Sequence, residues 1–151
     1  MGFGIKLGEK LVDNILFVMA TTNIGKTAYT NLEDHTALGA ATCSDFDPFI
    51  LEQTSLSTYV FKQDWSGYIN VMTASSRNGS GTIITRTTRV YVNDTAIITL
   101  AGEVIANSPS TFYEFKVGDV LNIKAKASAT TGNTGNSVIF LTKTNLTETE
   151  E

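Results

Sequence analysis

The residues best equipped for chemistry lie in the first third of the chain. The apolar run Ile15–Met19 leads into Ala20-Thr21-Thr22-Asn23-Ile24-Gly25-Lys26-Thr27, where Lys26 and Thr27 stand in the order that a phosphate-binding loop uses. Ala20 occupies the place of that loop's first glycine. Such a loop also needs a helix directly behind it, whose free amides and dipole hold the anion. Ala28 to Ala41, with Asn31, His35 and Gly39 and little apolar periodicity, is a poor helix. The expectation is a turn after a buried strand, with no nucleotide hydrolysis. His35 is the single histidine, so a histidine-based triad or metal site would depend wholly on it. Glu33, Asp34 and His35 are adjacent, which spreads their side chains and predicts a solvated polar turn. Asp45 and Asp47, two apart before Pro48, could place both carboxylates on one side of an extended segment and hold calcium with loop carbonyls. An ion-free loop is the plainer reading. No catalytic, cofactor-binding or metal residue is expected, and the chain is read as a non-enzyme without cofactors.

Binding residues are the next candidates. Trp65, between Asp64 and Ser66, could stack on a sugar ring, but Trp65-Ser66-Gly67-Tyr68 also reads as a turn entering a strand, with Trp65 closing one end of the fold. The closing role is expected. Arg77 and Asn78 at a hairpin tip, and Asn133 and Asn136 in a Gly-Asn loop, are the candidate exposed binding loops. Arg86 and Arg89 read as solvated charges.

The elements that must position these residues are strands. In Val120 to Ser128, Leu121, Ile123, Ala125 and Ala127 alternate with Asn122, Lys124, Lys126 and Ser128, the period of two of a half-buried strand. Further candidates are Phe49 to Leu51, Thr58 to Lys62, Tyr68 to Thr73, Thr82 to Val92, Ala96 to Leu100, Phe112 to Phe115 and Val138 to Thr142. Asn78-Gly79 suits a hairpin between the Tyr68 and Thr82 strands, and Asn93-Asp94 a tight reversal after Val92. With no long helical period between strands, the fold class is all-β, an antiparallel sandwich over residues 46–142. Residues 21–45 hold either one short helix or loops.

The chain's 151 residues fit one domain, with 42% hydrophobic and 17% charged residues on a surface rich in Thr, Ser and Asn. A net charge of -4 with basic residues scattered along the sequence argues against nucleic acid. Cys43 is alone, which excludes an internal disulfide and predicts a buried, inert thiol. Asp13 and Asn14 interrupt the apolar run that follows Lys6 and Lys10, so neither a cleaved signal nor membrane insertion is expected, and Lys6 stands where a myristoylation signal after Met1-Gly2 would want Ser or Thr, so lipidation is not expected either. Residues 1–20 read as an N-terminal arm or anchoring strand, with Phe3, Ile5, Leu7 and Leu11 as candidate anchors. Residues 21–151 read as the sandwich with a polar tail ending in Glu148, Glu150 and Glu151.

From about Ser57 to Thr142 the chain resembles the jelly-roll heads of the tumour necrosis factor and C1q-like superfamily, including short versions in bacteriophage virion proteins. The resemblance rests on Gly67-Tyr68-Ile69, Arg89-Val90-Tyr91-Val92-Asn93, Phe115-Lys116-Val117-Gly118-Asp119-Val120-Leu121 and Ser137-Val138-Ile139-Phe140-Leu141. The chain departs from such heads at the end: many finish with a Gly-aromatic pair, and this one continues as Lys143 to Glu151. The resemblance implies a jelly roll that assembles as a homotrimer within a larger assembly such as a virion capsid, as a decoration or head-fibre protein. The alternative it leaves open is a carbohydrate- or receptor-binding module of a tail tip or an extracellular lectin-like protein, with a host glycan or receptor as partner.

Overall fold

The computed structural model describes residues 3–7, 10–21, 27–35, 42–77, 81–102, 105–128 and 135–146. Fifteen strands follow in order: β1 Phe3–Leu7, β2 Lys10–Thr21, β3 Thr30–Asn31, β4 Thr42–Phe46, β5 Leu51–Ser55, β6 Thr58–Phe61, β7 Trp65–Ala74, β8 Ser76–Arg77, β9 Ile83–Ile84, β10 Arg86–Val92, β11 Thr95–Gly102, β12 Ile105–Asn107, β13 Thr111–Phe115, β14 Val120–Ala127 and β15 Asn136–Thr142. The described residues hold no α-helix, only a short 3-10 turn over Leu32–His35. The strands form a seven-stranded sheet ordered β1-β2-β15-β7-β12, with β4 also on β2 and β13 also on β7. Opposite it lies a six-stranded sheet ordered β11-β10-β14-β6-β5, with β3 also on β14.

The pairing is that of a jelly roll. Eight principal strands nest like one long folded ribbon: β2 with β15, β6 with β14, β7 with β13 and β10 with β11. The ribbon wraps so that β15 also pairs β7 and β14 also pairs β10, which closes two antiparallel sheets. The all-β sandwich and jelly-roll expectation is therefore met.

Side chains alternate as the pleat requires. In β14, Leu121, Ile123, Ala125 and Ala127 are buried, and from the opposite sheet Leu16, Val18, Ile69, Val71, Ile139 and Leu141 meet the same core. Burying each of the larger ones stabilises by about 1.5–3 kcal/mol. One end is closed by aromatics: Phe61 stacks on Phe115 with centroids 4.1 Å apart, and Trp65 lies 6.3 Å from Phe61. Trp65 thus closes the sandwich, as expected. The quoted turn motifs meet near this end. Asn93 and Asp94 carry φ of 50° and 67°, the left-handed pair of a two-residue hairpin between β10 and β11. Asn93 donates from Nδ2 to Asp119 Oδ1 at 2.9 Å and accepts from the Val120 amide at 2.9 Å, tying the hairpin to the turn at Gly118, whose φ is 89°.

Several expectations are corrected. Tyr68 and the Thr82 region do not form one hairpin, because β7 and β10 lie in different sheets; the small β8-β9 ribbon lies between them in the chain. Thr82 to Val92 is accordingly broken at Thr85. Pro48–Ile50 is a turn, with Phe49 exposed, and the strand begins at Leu51. The described residues of 21–45 hold the end of β2, β3, the 3-10 turn and most of β4. Cys43 is exposed, because β4 runs along the flank of β2 and turns this residue outward opposite Met19. The stretch 1–20 divides: β1 and the start of β2 make a hairpin, while Leu16, Val18 and Ala20 are core residues.

Candidate functional site

The catalytic look-alikes are not brought together. Residues 22–26, including Lys26, lie outside the described residues. Among the described residues, the chain after them enters β3 and the 3-10 turn, with no α-helix. Glu33 accepts a hydrogen bond from the Ser57 hydroxyl, and Ser57 Oγ also receives the Leu32 amide at 2.7 Å, which makes this acid part of a loop anchor. His35 has its backbone in the same turn. Asp45 is exposed on β4, whereas Asp47 is buried and caps its own turn by accepting the Phe49 amide at 2.9 Å. Among the described residues no three potential ligands are grouped to hold a metal. Trp65 is 7% exposed, with Lys143 Nζ 4.9 Å from its ring, and only its edge borders a cavity of about 290 Å³ shared with Asp64, Glu114 and Lys116.

Two opposed sheet faces carry the distinctive chemistry. The outer face of the seven-stranded sheet is apolar across its centre. Registers Phe140↔Phe17, Val138↔Met19 and Val138↔Met72 set these side chains side by side, outside the core cluster. Phe17 and Phe140 approach to 6.4 Å, and Tyr68 meets the exposed Phe112 edge-on at 5.4 Å. Ile105, 64% exposed, extends the patch beside Ala74. Asn70 is the polar exception and is held by its surroundings: Nδ2 donates to Phe140 O and Thr142 Oγ1, both at 3.1 Å, and Oδ1 accepts from Ser110 Oγ at 2.5 Å.

The outer face of the six-stranded sheet is polar and basic. Lys124 and Lys126 of β14 project beside Arg89 and Tyr91 of β10, with Arg89 directly opposite Lys124. Arg89 Cζ lies 4.0 Å from the Tyr29 ring centroid, Lys126 Nζ 4.9 Å from the same ring, and Lys124 Nζ 5.4 Å from Tyr91. Arg86 belongs to the interior, contrary to the solvated reading, because it lies one pleat away from this face. Its Nε donates to Ser137 Oγ at 2.8 Å, in a buried chain that runs through Thr88 to Thr73. One terminal nitrogen has no partner, and burial pushes the guanidinium down to about 10.

The named binding candidates are scattered. Phe3, Ile5 and Leu7 lie on β1 and Leu11 on β2, where Ile5 pairs Val12 and Lys6 pairs Leu11. Arg77 lies on the β8-β9 ribbon opposite Ile83; Asn78 and Asn133 fall outside the described residues. Asn136 is a strand residue of β15, half-buried and accepting from Thr21 Oγ1 at 2.9 Å, so it is not part of an exposed loop. Sequence reading missed Tyr29 and the Lys124–Lys126 pair as a surface; the alternation of β14 put both lysines outward, and nothing local placed Arg89 beside them.

No family model matches the chain, and no curated protein matches it. Among solved structures it is similar to GITRL from bushbaby, at 16% identity and a TM-score of 0.46, over 88% of this chain and 99% of that one. It is likewise similar to pika GITRL, at 16% and 0.46 over 89% and 99%, and to rabbit GITRL, at 17% and 0.48 over 87% and 99%. The strand pairing described above establishes the jelly roll independently of these likenesses.

Proposed function

We propose that the chain is a non-enzymatic structural protein that assembles as a homotrimer through the outer face of its seven-stranded sheet, and that it serves in a virion as a decoration or head-fibre component. The observation that carries the assembly is the contrast between the two sheets. Only one layer packs on β2, β15 and β7, yet these strands are apolar on both faces, as strands covered on both sides are. A contiguous patch of Phe17, Met19, Met72, Val138 and Phe140 favours a protein contact. The threefold order and the virion setting rest on the sequence resemblance, and a composition rich in Thr, Ser and Asn is compatible with both.

Native mass spectrometry of the full chain tests the assembly. A trimer is expected, and Phe140→Asp, which places a carboxylate at the centre of the patch, should give monomers that still melt cooperatively. A wild-type protein that stays monomeric at high concentration sinks the assembly reading. Rebinding to stripped virions tests the setting. The deletion should remove only residues 1–9, because cutting to residue 20 would take out Leu16, Val18 and Ala20 from the core. Loss of rebinding with an intact trimer would support Phe3, Ile5 and Leu7 as anchors.

A further inference from the structure

We propose that the outer face of the six-stranded sheet, around Tyr29, Arg89, Lys124 and Lys126, binds an acidic polysaccharide, a chain of carboxylated or sulfated sugars. This goes beyond the assembly reading and does not depend on it, since the face lies on the opposite side of the sandwich. The first ground is charge. The chain is acidic overall, with 15 acidic against 11 basic residues, yet three of its cations project from neighbouring positions of two adjacent strands. Arg89 directly opposite Lys124 is a like-charge cross-strand pair, which costs stability in the unliganded sheet and is relieved by an anion bridging the two.

The second ground is how the cations are held. Among the described residues, these cations lie against tyrosine rings, and Arg89 Nε also donates to Thr99 Oγ1 at 2.9 Å. A ring orients a cation without cancelling its charge, so the positive groups are arranged and still available. The third ground is the neighbouring surface. A cavity of about 350 Å³ is lined by Thr27, Thr85, Thr87, Ser128, Ala127 and Lys126. Four hydroxyls and one ammonium suit the hydroxyls and the acid group of a sugar acid. An acidic peptide would use the cations and leave the hydroxyl-lined cavity unused. Arg89, Lys124 and Lys126 stand on regular strand, so the cations are held at fixed spacing, while Tyr29 and part of the cavity wall come from the flanking loops.

Surface plasmon resonance of the full-length protein over immobilised heparin, polysialic acid, neutral dextran and polyglutamate tests the proposal. Binding to heparin or polysialic acid is expected, weakening as ionic strength rises, with none to dextran. The double variant Lys124→Gln/Lys126→Gln should lose about tenfold or more in affinity, as two charge-assisted contacts would, with oligomeric state unchanged and a melting temperature no lower than that of the parent, since the like-charge pair is removed. Thr87→Val should weaken polysaccharide binding further, through the cavity. No binding to either acidic polysaccharide, equal binding by the double variant, or equal retention on polyglutamate would each overturn the proposal. The trimer reading is judged separately by the mass measurement.

Discussion

Replacing Arg86 by Met should stabilise the protein. The guanidinium is 2% exposed, its Nε is bonded to Ser137, and one terminal nitrogen has no partner. Desolvation by burial lowers its pKa from the ordinary guanidinium value to about 10. At about 1.4 kcal/mol for each tenfold change, the charged form costs about 3 kcal/mol on folding. Methionine keeps much of the side chain's length and removes the charge. The lost hydrogen bond costs about 1 kcal/mol, because Ser137 Oγ keeps Thr88 at 2.7 Å. The net gain is about 2 kcal/mol, or about 4–8 °C in melting temperature for a chain of this size. Buried ionic groups replaced by apolar ones of similar volume often behave this way. The folded value lies below the unfolded one, so the unfolded chain binds the proton more tightly. The penalty is therefore complete below pH about 10 and is relieved only as pH rises from there toward the ordinary guanidinium value. Thermal unfolding followed by circular dichroism near neutral pH is the assay. A melting temperature that falls by several degrees would refute the reasoning, since it would mean that the guanidinium is compensated in the folded protein.

Three further outcomes are expected. Ile123→Ala, at a fully buried position of β14, should cost about 2–5 kcal/mol in urea unfolding, whereas Lys124→Ala next to it should stay within about 0.5 kcal/mol; equal effects would reject the register. Gly67→Ala should destabilise by about 1–3 kcal/mol, because a Cβ there would lie 2.6 Å from the Thr142 carbonyl oxygen and against the Trp65 ring; an unchanged melting temperature would show that this end of the sandwich is loosely packed. Calorimetry with magnesium-ATP should give no binding heat; tight binding that disappears in Lys26→Ala would reinstate the phosphate-loop reading of residues 20–27.

What the sequence determined by itself was local. Alternation in Val120–Ala127 assigned each side chain of β14 to a face, and Asn93-Asp94 specified a two-residue reversal, because the pleat and the left-handed region act on neighbouring residues. The unbroken apolar runs of β2 and β15 signalled strands apolar on both faces. Which sheet each strand joined could not be read in this way. Tyr68 and Arg86 are near in sequence but belong to strands of opposite layers, a consequence of how the folded ribbon wraps and not of any residue between them. The same wrapping set Arg86 in the interior and Arg89, three residues later, outside. It gathered Tyr29, Arg89, Lys124 and Lys126 from three distant stretches onto one face, so basic residues that look scattered along the chain form a patch. Long-range backbone pairing decided that arrangement, because strand neighbours are chosen by the burial of whole faces and leave no local signature in the residues they bring together.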